Sequence, residues 1–263
     1  MNAIRIRGVF KRQFYWERHS PPILFDMFVW PVLDLFLWGL LTTFLQREPG
    51  AIPAPFGWLL GGVLLWDLMF RSSLGVSMAF LEDAAWSRNL INMLVAPVRP
   101  GEFLVGALGW TLTKVAVGWG LMATAAWLAF SFGILKVGLG LVVFAVALVL
   151  FGVAIAMLVL ALLFRFGQGV EVLAWAFAAM LSPLAAVYYP VSVLPGWAQS
   201  IAAALPPSHV FESMRAVLAG RAFSWRQLLL ALGLDVVYLV GAFALARGMF
   251  ESFRRRGSVT RYM

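Results

Sequence analysis

Cysteine is absent from the sequence, which removes disulfides, thiolate metal sites and cysteine nucleophiles together. Histidine is almost as scarce: His19 and His209 are the only two, and neither falls in a metal-binding pattern. Ser208 and His209 are neighbours, so a helix would turn them to different faces and deny them a nucleophile–base pairing. Ser208 reads instead as a helix cap. None of the three lysines, Lys11, Lys114 and Lys136, follows a glycine, so the phosphate-cradling pattern G-x-x-x-x-G-K-[ST] is missing. No cofactor, metal or catalytic constellation is therefore expected on this chain, and an enzymatic function has no residues to carry it.

Charge is the other shortage. Asp, Glu, Lys and Arg make up 12% of the 263 residues, where a soluble domain carries about 25%. That leaves too little polar surface to cover a water-soluble globule, and the 62% of apolar residues needs lipid as its solvent. A hydrocarbon core about 30 Å thick takes about 20 apolar residues per helix, so six crossings use about half of the chain. Residues 1–263 accordingly read as a single membrane domain. The formal charge of +8 then reflects topology, and no nucleic-acid partner is expected.

What is present begins with residues 3–19 (AIRIRGVFKRQFYWERH), which pattern as an amphipathic helix. Ile6, Val9, Phe10 and Phe14 fall at helical spacing, and Arg5, Arg7, Lys11, Arg12 and Arg18 supply the cations, a combination suited to the lipid interface. With five Lys/Arg in the first twenty residues and no apolar run there, no cleavable signal peptide is expected. Pro21-Pro22 stops this helix. Apolar segments long enough to cross a bilayer follow at about 23–45, 56–80, 103–130, 138–164, 170–194 and 227–247. Turn chemistry separates them: Glu48-Pro49-Gly50, Arg99-Pro100-Gly101, and Ser131-Phe132-Gly133 through Gly138.

Lys/Arg placement sets the orientation. With the N-terminus inside, the cytoplasmic side holds thirteen Lys/Arg, including Arg88, Arg99, Arg165, Arg247 and Arg254–Arg256. The outer side holds five, Arg47, Lys136, Arg215, Arg221 and Arg226. Both termini inside requires an even number of crossings, and six fits. The expected fold is thus all-α integral membrane: six transmembrane helices, an N-terminal amphipathic interfacial helix, and a re-entrant helical hairpin between spans five and six.

That hairpin is read from residues 195–226, too apolar for a solvated loop and too interrupted for a span. Trp197–Ala204 and Ser208–Ala219 form its two short helices, joined by Pro206-Pro207 and ended by Gly220. Such backbone is tolerated at membrane depth only when buried in protein or lining a cavity. The second non-spanning stretch, residues 81–102, is a cytoplasmic connection whose first half is polar and compatible with a helix.

Five charges fall inside apolar segments: Asp34, Asp67, Arg71, Lys114 and Asp235. Each costs about 2.5–3.5 kcal/mol at mid-membrane, so none is expected to face lipid. Asp67 and Arg71 are four apart and can pair along one helix face, while Lys114 is placed to meet Asp67 or Asp34 across a helix interface. They either line a polar path or only fix helix packing.

Two stretches carry a resemblance to the ABC-2 family of ATP-binding-cassette export permeases. In the first, Glu82-Asp83, Ala96-Pro97-Val98 and Gly101-Glu102-Phe103 with Gly106 resemble the family's connection after span two and the opening of span three. In the second, Tyr189-Pro190-Val191-Ser192-Val193-Leu194-Pro195-Gly196-Trp197 and Ala204-Leu205-Pro206-Pro207-Ser208-His209, followed by Glu212 and Arg215, resemble its approach to the outer-side helices. The chain departs from the family at Arg88-Asn89-Leu90-Ile91-Asn92, where a Gly-Thr-Leu-Glu-like stretch is common, and at Ala107, where a lysine is.

The resemblance implies the membrane subunit of a bacterial exporter in the cytoplasmic (inner) membrane, paired with a second copy of itself or a close relative. A separate ATPase subunit would hold the ATP and Mg, and this chain would bind no cofactor of its own. Glu82, Asp83, Arg88, Asn89 and Asn92 would contact that ATPase as a coupling helix. Pro195, Pro206, Pro207, His209, Glu212 and Arg215 would form an outer gate, with Glu212 and Arg215 also able to pair at i, i+3. A transporter driven by an ion gradient is the competing expectation. It favours inverted repeats, and none is evident here.

Overall fold

The computed structural model describes residues 1–47, 56–82 and 96–255. Among them the secondary structure is all helical, with nine α-helices and no strand. We label these α1 (Ala3–Glu17), α2 (Pro21–Arg47), α3 (Phe56–Leu81), α4 (Pro100–Phe130), α5 (Gly140–Phe166), α6 (Glu171–Leu184), α7 (Gly196–Ala204), α8 (Pro206–Leu218) and α9 (Trp225–Arg255). Helices are what an apolar chain forms in lipid, because each satisfies its own backbone hydrogen bonds. Five of them, α2, α3, α4, α5 and α9, are long and apolar enough to cross a membrane. The chain is thus a multi-pass membrane protein.

The core forms around α3 and α5. Leu60, Leu64 and Met69 of α3 and Phe144, Leu148 and Phe151 of α5 are buried, together with Phe211 and Met214 of α8. Helices α3 and α5 touch through Gly152, where an added Cβ would lie 2.6 Å from the Met69 carbonyl oxygen and 2.8 Å from Ser72 Cβ. Only glycine allows that approach. Helix α9 packs along α5, with Phe151 edge-on to Tyr238 and Phe164 against Phe250 and Phe253. By contrast α2, α4 and α9 leave long apolar faces uncovered, among them Leu33, Leu37 and Leu40 of α2 and Val236, Val237 and Val240 of α9.

The ends of the helices follow local chemistry. Asn2 caps α1, its side chain accepting from Ile4 N at 2.9 Å. Pro100 opens α4, where the Glu102 carboxylate accepts from the Arg99 backbone N–H at 3.0 Å. Within α2, Pro31 withholds the donor that the Met27 carbonyl would otherwise receive, and that carbonyl faces Gly118 of α4.

The apolar run 170–194 departs from its expected single helix. The chain is α-helical only over Glu171–Leu184, reaches a positive φ of 53° at Ala186, and then makes a short 3-10 turn at Val191–Val193. Fourteen residues rise only about 21 Å, less than a hydrocarbon core of about 30 Å. The stop is a closing turn at Ala186, where the Ala186 N–H donates to the Pro183 carbonyl at 3.2 Å and the Val187 N–H to the Ser182 carbonyl at 3.5 Å. One turn earlier Pro183 cannot donate to the Ala179 carbonyl, and the Ser182 hydroxyl donates there instead at 3.1 Å.

Candidate functional site

Three polar clusters interrupt the apolar bundle. The first lies between α2 and α3. Arg71 Nε donates to Asp67 Oδ1 at 2.8 Å, one turn along the same helix, as the spacing predicts. The guanidinium also reaches α2, where Nη1 lies 4.0 Å from Asp26 Oδ2 and donates to the Asp26 carbonyl at 3.5 Å. Asp26 escaped the sequence reading because it sits in the first turns of its span, where a carboxylate looks like a boundary residue. Its clue is the eight-residue spacing to Asp34, which puts both on one side of α2. Asp34 is exposed on that helix. One turn on, Trp38 stacks on Tyr188, with ring centroids 4.4 Å apart and planes 13° from parallel.

The second cluster fastens α1 to the first half of α4, the two helices running in the same direction. At one end Glu102 accepts from the Asn2 backbone N–H at 2.8 Å and lies 3.6 Å from Arg5 Nη1. In the middle Phe10 and Phe14 meet Trp110 edge-on, at 5.5 and 5.2 Å between centroids. Gly106 lets α1 approach, since a Cβ there would lie 2.7 Å from Val9 Cβ. At the other end Lys114 Nζ bonds Glu17 Oε1 at 2.7 Å. This corrects the expectation that Lys114 meets Asp67 or Asp34. Asp67 is engaged by its own neighbour Arg71, and it is α1 that packs beside Lys114. The apolar side of α1 (Ile6, Val9, Phe10, Phe14) therefore seats on protein, while Tyr15 and Trp16 are left exposed. Buried Gln13 and Glu17 complete the inner stripe.

The third cluster holds the outer hairpin, α7 and α8. Arg215, 3% exposed, donates from Nη1 to the carbonyls of Ala186 at 2.9 Å and Val187 at 3.4 Å, and from Nη2 to Glu212 Oε1 at 3.0 Å. Burial draws its guanidinium below the usual arginine value, and the Glu212 carboxylate beside it opposes that. Glu212 Oε1 also accepts from the Val191 N–H at 2.7 Å. The Glu212–Arg215 pair expected at i, i+3 is therefore present, and it also grips the irregular segment 186–191. His209 lies 2.9 Å from Ala203 O through Nε2 and 2.6 Å from Gln227 Oε1 through Nδ1, and so ties the hairpin to α9.

Ser208 departs from its expected capping role. Leu205 is the N-cap of α8, and Ser208 lies in the first turn, where its hydroxyl donates to the Ala202 and Leu205 carbonyls at the end of α7. Pro206 and Pro207 occupy the first two helical positions, which need no N–H partners. Pro195 is the N-cap of α7, and Gly220, at φ +73°, follows the end of α8 as expected.

Two site residues stand apart. Asp235 of α9 is fully buried, and neither of its carboxylate oxygens has a hydrogen-bond partner among the described residues. Glu82 is buried at the end of α3. Asp83, Arg88, Asn89 and Asn92, the other residues of the expected ATPase contact, lie outside the described residues. Among those described, no group of three or more His, Asp or Glu could hold a metal ion. The site chemistry is that of fixed charges placed at helix contacts. No protein-family model matches the sequence, and no curated protein matches it either.

Proposed function

We propose that the chain is the membrane subunit of an ABC-type exporter, forming a translocation path with a second copy of itself and driven by a separate ATPase subunit. In this reading six crossings place both termini in the cytoplasm of a bacterium, α6 with the segment that follows provides the fifth crossing, and α7–α8 dips in from the outer side. The resemblance of residues 81–106 and 186–220 to export permeases supplies the family.

The observation that carries the paired path is Asp34. It is exposed on a helix whose neighbouring residues Leu33 and Leu37 are also exposed. In a bilayer a lone copy would leave one side of that residue facing hydrocarbon, although Arg71 and Trp38 of its own chain already lie beside the carboxylate. A second copy covering this face of α2 would give Asp34 a polar enclosure shared with Asp26, Arg71 and the Trp38–Tyr188 stack. Energy would enter through the connection at 81–96 and push on spans one and two, α2 and α3, as packed bodies. Glu82 is buried, so its part would be to hold the end of α3, leaving Asp83 and Arg88 to meet the ATPase electrostatically.

Gentle extraction from native membranes, followed by identification of the attached soluble subunit, tests the reading. An ATPase is expected to co-purify, and charge reversal at Asp83 and Arg88 is expected to uncouple transport from hydrolysis. Transport by the isolated chain would refute it. Asp235 favours one other reading, a carrier driven by an ion gradient, because an unpartnered intramembrane carboxylate suits proton relay. Transport abolished by an ionophore and indifferent to ATP depletion would select that alternative.

A further inference from the structure

A second binding feature lies away from all three clusters. Between α4 and α9 a slot of about 480 Å³ opens on the side of the bundle, within the roughly 300–1,000 Å³ of small-ligand sites. Its floor includes Val76 of α3 and Met157 of α5, and its walls include Leu108 of α4 with Leu239 and Phe243 of α9. The rim faces outward, since Val240 is 64% and Phe243 53% exposed. Along α9 the slot runs from Leu239 to Arg247, about 12 Å of helix. Arg247, at its end, is the one polar residue in the lining.

The same end of the molecule is cationic. Phe164 packs against Phe250 and Phe253, which puts exposed Arg165 level with the last turns of α9, where Arg255 is also exposed. Glu251 takes Arg247 Nε at 3.2 Å in a pair that is solvent-exposed on both sides, which leaves the two Nη groups of the guanidinium as donors.

An apolar channel closed by a cation has the two-part chemistry of a phospholipid, a hydrocarbon tail and an anionic head. We infer that this slot is a resident site for an anionic phospholipid of the surrounding leaflet. One acyl chain lies between α4 and α9, and the phosphate rests on Arg247. Tail burial gives affinity without head selectivity, and the arginine supplies the preference for an anionic head. The inference needs only a bilayer around the chain, so it stands or falls separately from the exporter reading.

Native mass spectrometry of the full chain in mild detergent, with added phosphatidylglycerol or phosphatidylcholine of matched acyl chains, tests it. The wild-type chain is expected to retain one phosphatidylglycerol per copy in preference to phosphatidylcholine. Arg247→Gln, an exposed position, should cut that preference about fivefold while leaving lipid-free thermal unfolding unchanged. Ala244→Phe, which fills the slot from its exposed rim, should abolish retention of both lipids. Equal retention of the two lipids by the wild type would overturn the inference, as would phosphatidylglycerol retention unmoved in both variants. Because the chain has no cysteine, Val240→Cys gives a single thiol on the rim. Its cross-linking between copies by a short bis-maleimide would show a second copy in the slot and would also overturn the inference.

Discussion

Arg215 shows how one residue can set a boundary that hydropathy conceals. Its guanidinium collects the Ala186 and Val187 carbonyls and the Glu212 carboxylate, so the irregular segment after α6 is held by a side chain 28 residues away. Arg215→Met should destabilise the protein by on the order of 3 kcal/mol, since it leaves buried acceptors without a donor. Thermal unfolding in detergent, with thiol labelling of Tyr188→Cys as a local report, should show a lower midpoint and faster labelling. Lys114 and Glu17 give a second test at this scale. Glu17 is the more buried partner, with side-chain exposures of 2% and 21%. Lys114→Met should therefore cost more than Glu17→Gln, and the double variant should cost less than their sum. Additive losses in the unfolding midpoint would mean that the pair is uncoupled. The Asp67–Arg71 bond was legible in the sequence because four residues make one helical turn. The Lys114–Glu17 bond was not, because it joins residues 97 apart and depends on which helix lies beside α4.

Among the elements, α2, α3, α4 and α5 were legible within a few residues of their ends, because length and turn residues both constrain them, whereas α9 runs eight residues past the expected end at 247. The stretch 170–194 was less so: uniform hydropathy hides the break after Leu184, and the cue is Ser182-Pro183 together with a distant buried arginine. Helix α1 was legible as amphipathic, but its apolar side fits lipid and fits α4 equally well. Only the edge contacts of Phe10 and Phe14 with Trp110 and the close seat at Gly106 decide between them. The contact of α3 with α5 has a sharp requirement at Gly152. Gly152→Val places side-chain atoms against the Met69 carbonyl and Ser72, neither of which can move without moving α3. A loss of about 1–3 kcal/mol is expected, the usual range for overpacking. Gly248→Val, at a position with nothing within 4 Å of an added Cβ, is the matched control and should unfold like the wild type apart from a small propensity gain over glycine.

For the molecule as a whole, the uncovered face of α2 is the feature with the largest consequence. Leu33 and Leu37 are 52% and 62% exposed, and Asp34 stands between them in sequence. Leu37→Cys in this cysteine-free background should cross-link two copies in the membrane, whereas Leu229→Cys on the exposed side of α9 should not. Labelling of Ser131→Cys from outside the cell, with Asn2→Cys and Arg255→Cys both reached only after permeabilisation, would match the six-crossing topology. Labelling of Arg255→Cys from outside would exclude it.

Glu102 and Lys114 also dictate an order of construction. The carboxylate that secures Asn2 and the amine that secures Glu17 are made about a hundred residues after the segment they hold. At about 5–20 residues per second, α1 leaves the ribosome roughly 5–20 s before its seat exists. During that interval the bilayer surface is the apolar cover at hand for Ile6, Val9 and Phe10, and the cations of the helix hold it there. The helix serves first as a float and later as a strut, and its composition answers to both employments.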